Sequence, residues 1–270
     1  MFDPARFLRH ARAQWAEQWR TWAWFLAIGI IVHCVLLLLV LFAGDRGYRA
    51  YSHDMQAGLF VTGFIVTAPI FAARYFQAMA RPESEGVLLM RPVSAFEKWL
   101  LALVVVVLAY PLAYALAFQV GNVPAALYAG LQVAADVAAD PKDVPINALR
   151  EPATFSPILP WQAFDSARSA LGTFLTVAAW QGFAVTGCLY FRRMPFVKTV
   201  VAGFVLLLVL IFLGLLFESH SAIFLSWWAR EGLASSLPLS HRILVPLAWW
   251  LVPGLLWLAA LFALREREVA

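Results

Sequence analysis

The stretch RPESEGVLLMRPVSAFEKW, residues 81–99, separates two apolar runs that are each long enough to cross a bilayer, and it carries Arg81, Glu83, Glu85, Arg91, Glu97 and Lys98. A bare connector between membrane helices needs only a few polar residues, whereas this one has internal punctuation. Pro82 suits a first helical position, and Glu83 and Glu85 fall near the positive end of the short helix that would follow, with Val87, Leu88 and Met90 as apolar contacts. Arg91 precedes Pro92 and is steered away from helical angles, which ends that turn. Ser94 and Glu97 then have the spacing of a capping box, in which the serine hydroxyl accepts from the Glu97 N–H and the carboxylate reaches back to the Ser94 N–H. Such a start contributes about 1 kcal/mol. The segment therefore predicts a short helix, a proline break and a second helix with a definite first residue.

Composition sets the solvent around it. Of 270 residues, 63% are hydrophobic and 13% charged, and the mean hydropathy is +0.76. Soluble domains are roughly 45–50% apolar, so the chain is expected to be an integral membrane protein. The net charge of +4 on such a protein reports topology, and no nucleic-acid partner is expected. Cys34 and Cys188 both fall in apolar stretches and suit packing as small hydrophobes rather than a disulfide.

A spanning helix takes about 20 mostly apolar residues. Six segments qualify, at roughly 22–43, 57–76, 99–120, 167–191, 197–217 and 244–264, within one transmembrane domain covering 1–270. The third and sixth carry no charge, and neither does the run 200–217 that makes up most of the fifth. The fourth is the most polar, with Thr173, Thr176, Gln181 and Thr186 among Gly172, Gly182 and Gly187. Small residues allow close approach and polar ones find partners on other helices, so it is expected inside the bundle. With the N-terminus inside, 13 of the 20 Lys and Arg fall on cytoplasmic segments, which places both termini in the cytoplasm.

Residues 1–21 predict an amphipathic interfacial helix started by Asp3 and Pro4, with Phe7, Ala11, Trp15, Trp19 and Trp22 on one stripe and Arg6, Arg9, Arg12, Glu17 and Arg20 mostly off it. The apolar stretch that follows is as long as a full span and lacks a small-residue cleavage site, unlike a cleavable signal. Residues 121–166 form the largest extracytoplasmic region, with a helical pattern up to Pro141 and a proline-rich remainder. Residues 218–242, with Glu218, Trp227, Trp228, Arg230 and Glu231, hold an apolar run too short to span. A re-entrant hairpin and an interfacial loop anchored by its tryptophans both fit.

No phosphate-cradling G-x-x-x-x-G-K-[ST] occurs, so ATP hydrolysis by that route belongs to another chain, and no cofactor is expected here. The five histidines lack metal-ligand spacing, and neither H-E-x-x-H nor G-x-S-x-G is present. No metal site and no catalytic residue is expected. No carboxylate lies centrally in a span, which argues against ion-coupled transport. His33 is the one histidine deep in a span.

The order of parts resembles the membrane subunit of an ABC-2 type (type V fold) ABC exporter. That family combines an interfacial N-terminal helix, six spans, a coupling helix between spans two and three and a re-entrant hairpin between spans five and six. The local match is LLMRPVSAFEKWL, similar to the Y-L-x-L-P-A-S-x-x-E-K-W/F-L stretch of one bacterial branch of these permeases. It departs at Arg91 and Val93, and keeps Pro92, Ser94, Glu97, Lys98 and Trp99. The resemblance implies an all-α exporter permease of the bacterial cytoplasmic (inner) membrane, paired with a second permease copy or a related chain. Two copies of a separate ATPase subunit would bring ATP and magnesium. ATPase contact would fall on Arg81, Pro82, Glu83, Glu85, Leu88, Met90 and Arg91, and the exit hairpin on 218–242. Two other classes stay open: a membrane-embedded enzyme acting on lipid or isoprenoid substrates, and a structural or regulatory membrane subunit that uses the loop only for assembly.

Overall fold

The computed structural model describes residues 3–43, 46–76, 92–139, 155–191, 194–216 and 239–269. Among them every regular element is helical. In chain order these are α1 (Pro4–Leu41), a 3-10 turn (Gly47–Ala50), α2 (His53–Tyr75), α3 (Ala95–Leu103), a π-wound segment (Val104–Ala109) and α4 (Tyr110–Ala139). A second 3-10 turn (Pro160–Ala163), α5 (Ala167–Tyr190), α6 (Pro195–Leu216) and α7 (Leu239–Val269) complete the order. Five helices among the described residues are long and apolar enough to cross a membrane: α1, α2, the continuous helix Ala95–Ala139, α5, and α7 over Pro246–Glu268. Helix α6, 22 residues long, covers the segment expected as span five, and Pro195–Leu206 is a shorter apolar stretch within it.

Two boundaries differ from the sequence reading. The expected interfacial helix and first span are one unbroken helix of 38 residues, because beyond Pro4 no proline interrupts the run and both parts share the helical period. Likewise residues 121–139, expected within a loop, continue α4 without a break, so that Ala95–Ala139 is 45 residues long. At 1.5 Å per residue that helix is about 67 Å long, roughly twice the hydrocarbon thickness. Its uncharged part, 99–120, is long enough to span.

The chain divides into two compact units, Met1–Trp15 with Val66–Tyr110 and Ser166–Ala270, and Ala16–Ile65 with Pro111–Asp165. In the second unit, Gly121, Ala125, Ala129 and Val133 recur every four residues along α4. A Cβ at Gly121 would stand 3.0 Å from the His33 ring and 3.1 Å from Leu37, so this small-residue row lets α4 approach α1 closely. Leu37, Leu41, Tyr51, Ala126 and Phe155 fill the adjoining core. Several polar groups near that core are paired. The Tyr51 hydroxyl donates to Asn122 Oδ1 at 2.6 Å, and the Gln56 amide both donates to the Ser156 carbonyl and accepts from the Ile158 N–H. Tyr48 and Arg49 donate to Asp136 at 2.6–2.8 Å, and these hydrogen bonds, the Tyr48 one foremost, hold its carboxyl below the usual range.

In the first unit α5 is the most enclosed of the spanning helices, and it is also the one whose small and polar residues stand out in the sequence. Gly182 makes room for Trp257, which a Cβ would meet at 3.0 Å. At Gly187 a Cβ would lie 2.5 Å from Thr199 Oγ1 and Cγ2 on α6. Gly187→Leu is therefore expected to force α5 from α6 and lower stability by about 1–3 kcal/mol. Thermal unfolding in detergent checks this, and Thr199→Ala in the same chain should recover part of the loss.

Candidate functional site: the charged junction at the head of α3

Helix α3 begins where the sequence places its cap. Ser94 has extended backbone angles (φ −68°, ψ 153°), its hydroxyl accepts from the Glu97 N–H at 3.3 Å, and the Glu97 carboxylate accepts from the Ser94 N–H at 3.1 Å. Both hydrogen bonds of the capping box are formed.

Glu97 has further work. Its Oε1 accepts from the main-chain N–H of Asp3 at 3.0 Å and from Arg6 Nη2 at 2.8 Å, while Arg6 Nε reaches Oε2 at 3.0 Å. Asp3 is itself the cap of α1, its Oδ1 accepting from the Ala5 and Arg6 N–H groups at 2.9 and 3.4 Å. Two helix starts thus converge on one carboxylate, each contributing the partial positive charge of its free N–H groups, and a guanidinium closes the arrangement through both of its edge nitrogens. This explains how a glutamate with 0% exposure stays ionised. The Arg6 guanidinium foremost, then the Asp3 and Ser94 N–H groups, bring its pKa from 4.5 down to about 2 against the opposing effect of burial.

The next two residues reach a third helix. Lys98 is 3% exposed, and its ammonium donates to Glu268 Oε1 at 2.7 Å, beside the C-terminal end of α7, where the helix dipole favours a cation. Trp99 Nε1 donates to the Trp257 carbonyl at 2.8 Å. Glu97, Lys98 and Trp99 therefore join the start of α3 to the start of α1 and to the last turns of α7, all within the first unit. In the sequence, residues 81–91 immediately precede Pro92 and this junction.

Arg81, Pro82, Glu83, Glu85, Leu88, Met90 and Arg91 lie outside the described residues, as do Glu218, Trp227, Trp228, Arg230 and Glu231. Among the described residues no group of three or more His, Cys, Asp or Glu is placed to hold a metal. His33 lies against Phe118, ring centroids 4.7 Å apart, and its Nε2 is buried without a hydrogen-bond partner. Sequence reading found Ser94 and Glu97, which sit three residues apart. It missed Asp3 and Arg6 as partners of Glu97, and Glu268 as the partner of Lys98, because pairs separated by 91 to 170 positions leave no periodic trace. Compared with family models, with curated proteins and with solved structures, the chain matches none of them.

Proposed function

We propose that this chain is the membrane-spanning permease subunit of an ATP-driven exporter of the ABC-2 type (type V fold). In this reading ATPase subunits on the cytoplasmic side supply the power and the substrate moves outward. The chain contributes six spans, α6 being the fifth, a coupling helix at 81–91 and a re-entrant hairpin in 218–242, and it works in the bacterial inner membrane with both termini cytoplasmic. It pairs with a second copy or a related permease. Leu88 and Met90 are the apolar anchors of the ATPase contact, and Arg81, Glu83, Glu85 and Arg91 form its polar rim.

The observation that carries this reading is the junction at Glu97 and Lys98. A segment that receives force from another protein is useful only if its far end is fastened to something stiff, since a soft attachment absorbs the displacement locally. Pro92 and the Ser94 cap end the segment abruptly, and the next residues are ion-paired to two other helices. Displacement of 81–91 would thus be delivered to α1, α3 and α7 together. An ordinary loop has no need of such fastening.

The test is affinity purification of the tagged chain from its native membrane. A Walker-motif ATPase should come with it in stoichiometric amount, and Leu88→Asp or Glu85→Arg should reduce its recovery about tenfold or more while the chain still reaches the membrane. Failure to recover an ATPase, or recovery unchanged by both substitutions, would remove the proposal.

A further inference from the structure

The helix Ala95–Ala139 changes its winding in the middle. Over Val104–Ala109 it is π-wound, and the Tyr110 N–H donates to the Val105 carbonyl, five residues back. The next donor in that series would be residue 111, whose partner would be the Val106 carbonyl. Residue 111 is a proline and has no N–H. A proline inside a helix also crowds the carbonyl four residues before it, and a locally widened turn relieves that crowding.

Val106 is 0% exposed, so water does not reach its carbonyl, and in a membrane interior an unpaired carbonyl is costly. The missing donor comes from a different helix. Gln181 on α5, 1% exposed, donates from Nε2 to the Val106 carbonyl at 2.9 Å. One turn earlier on α5 the Ala178 carbonyl accepts from Trp257 Nε1 at 3.0 Å, and the Trp257 carbonyl accepts from Trp99 at 2.8 Å. Side-chain-to-backbone hydrogen bonds thus close a ring, from α3 to α7 to α5 and back to the π turn. Just past the wide turn, Tyr110 donates to Thr67 Oγ1 at 2.6 Å and stacks on Phe71, ring centroids 4.5 Å apart.

π-wound turns inside α-helices recur at functional sites, and a register that holds an extra residue can migrate or close without breaking the helix. We propose that Val104–Ala109 is a built-in swivel, and that Gln181 is the positioning residue that holds it in the wide register in place of the absent Pro111 N–H. The swivel lets residues 95–103, with the Glu97–Lys98 junction, turn about the helix axis while the helix stays hydrogen-bonded. It stands whether or not the chain is a permease, since it concerns the conformations of this chain alone.

The experiment uses the full chain in lipid nanodiscs, with Cys34→Ser and Cys188→Ala, and spin labels at the exposed positions Phe96 and Tyr190. Distance distributions between the labels and hydrogen exchange of the main-chain amides over 106–114 are measured together. Gln181→Leu is expected to broaden the distribution and to raise exchange about tenfold or more. Pro111→Ala restores a main-chain donor, so it should narrow the distribution below that of the parent chain, and Gln181→Leu added to Pro111→Ala should change neither readout. A simple packing role for Gln181 predicts the same effect in both backgrounds, and that result would overturn the proposal. Unaltered distances and exchange in Gln181→Leu would overturn it equally. Should Gln181→Leu fail to fold, Pro111→Ala alone decides, because an unnarrowed distribution there rules out the swivel.

Discussion

Trp257→Ala is expected to produce one of the two largest losses of stability, about 3 kcal/mol, seen as a lower unfolding midpoint in detergent and as exposure of α7 to proteolysis. Lipid is as apolar as a buried tryptophan, so the transfer component that dominates in soluble cores is small here, and the cost comes from lost contacts and from the lost interhelical hydrogen bond. Trp257 is 4% exposed, lies in the space that Gly182 vacates, and donates to the Ala178 carbonyl at 3.0 Å. Alanine leaves a cavity between α5 and α7 and takes away the second donor of the Ala178 carbonyl. Trp257→Phe keeps most of the volume and loses only the donor, so it should recover well over half of the deficit. Equal losses in the two variants would mean that the hydrogen bond, and not packing, holds these helices together.

Glu97→Ala is expected to be comparably severe, for electrostatic reasons. It removes at once the acceptor of Arg6, of the Asp3 N–H and of the Ser94 N–H, freeing the start of α1 from the start of α3. The unfolding midpoint should fall by about 5 °C or more. Ser94→Ala removes the cap alone and should cost only about 1 kcal/mol. Glu97→Gln separates charge from shape: it keeps an acceptor oxygen but cannot satisfy the guanidinium twice, and it should fall between the two. Acid should imitate it. Because the folded-state pKa is lowered, from 4.5 to about 2, the stabilisation is fully present above pH 4.5 and is lost as pH falls from there through about 2. Melting in detergent from pH 6 to pH 3, parent chain against Glu97→Gln, should show the two curves drawing together only at the acid end. A gap that closes near neutrality instead would contradict the arrangement of charges around Glu97.

The local features of this molecule are legible in its residues and the distant ones are not. The Ser94–Glu97 box lies within four residues, so side-chain chemistry and spacing suffice to place it, and the same holds for Asp3 ahead of Pro4. Hydropathy locates the long apolar helices because the bilayer imposes one length on them. The polar and glycine-rich pattern of α5 points to enclosure, which Gly182 and Gly187 show in contact with Trp257 and Thr199. Continuity was harder to see. Hydropathy marks where a helix leaves the apolar phase, but a helix ends only where its hydrogen bonds are broken, and nothing around residues 21 or 121 breaks them.

Composition and period were enough to establish an all-helical, membrane-crossing chain with a capped helix start after Pro92, because solvent preference and local hydrogen bonding act on neighbouring residues. Packing assigned the partners: Arg6 for Glu97, Glu268 for Lys98, and Gln181 for the Val106 carbonyl that Pro111 leaves without a donor. Those pairings depend on which faces of separate helices meet, and a linear pattern carries no record of that.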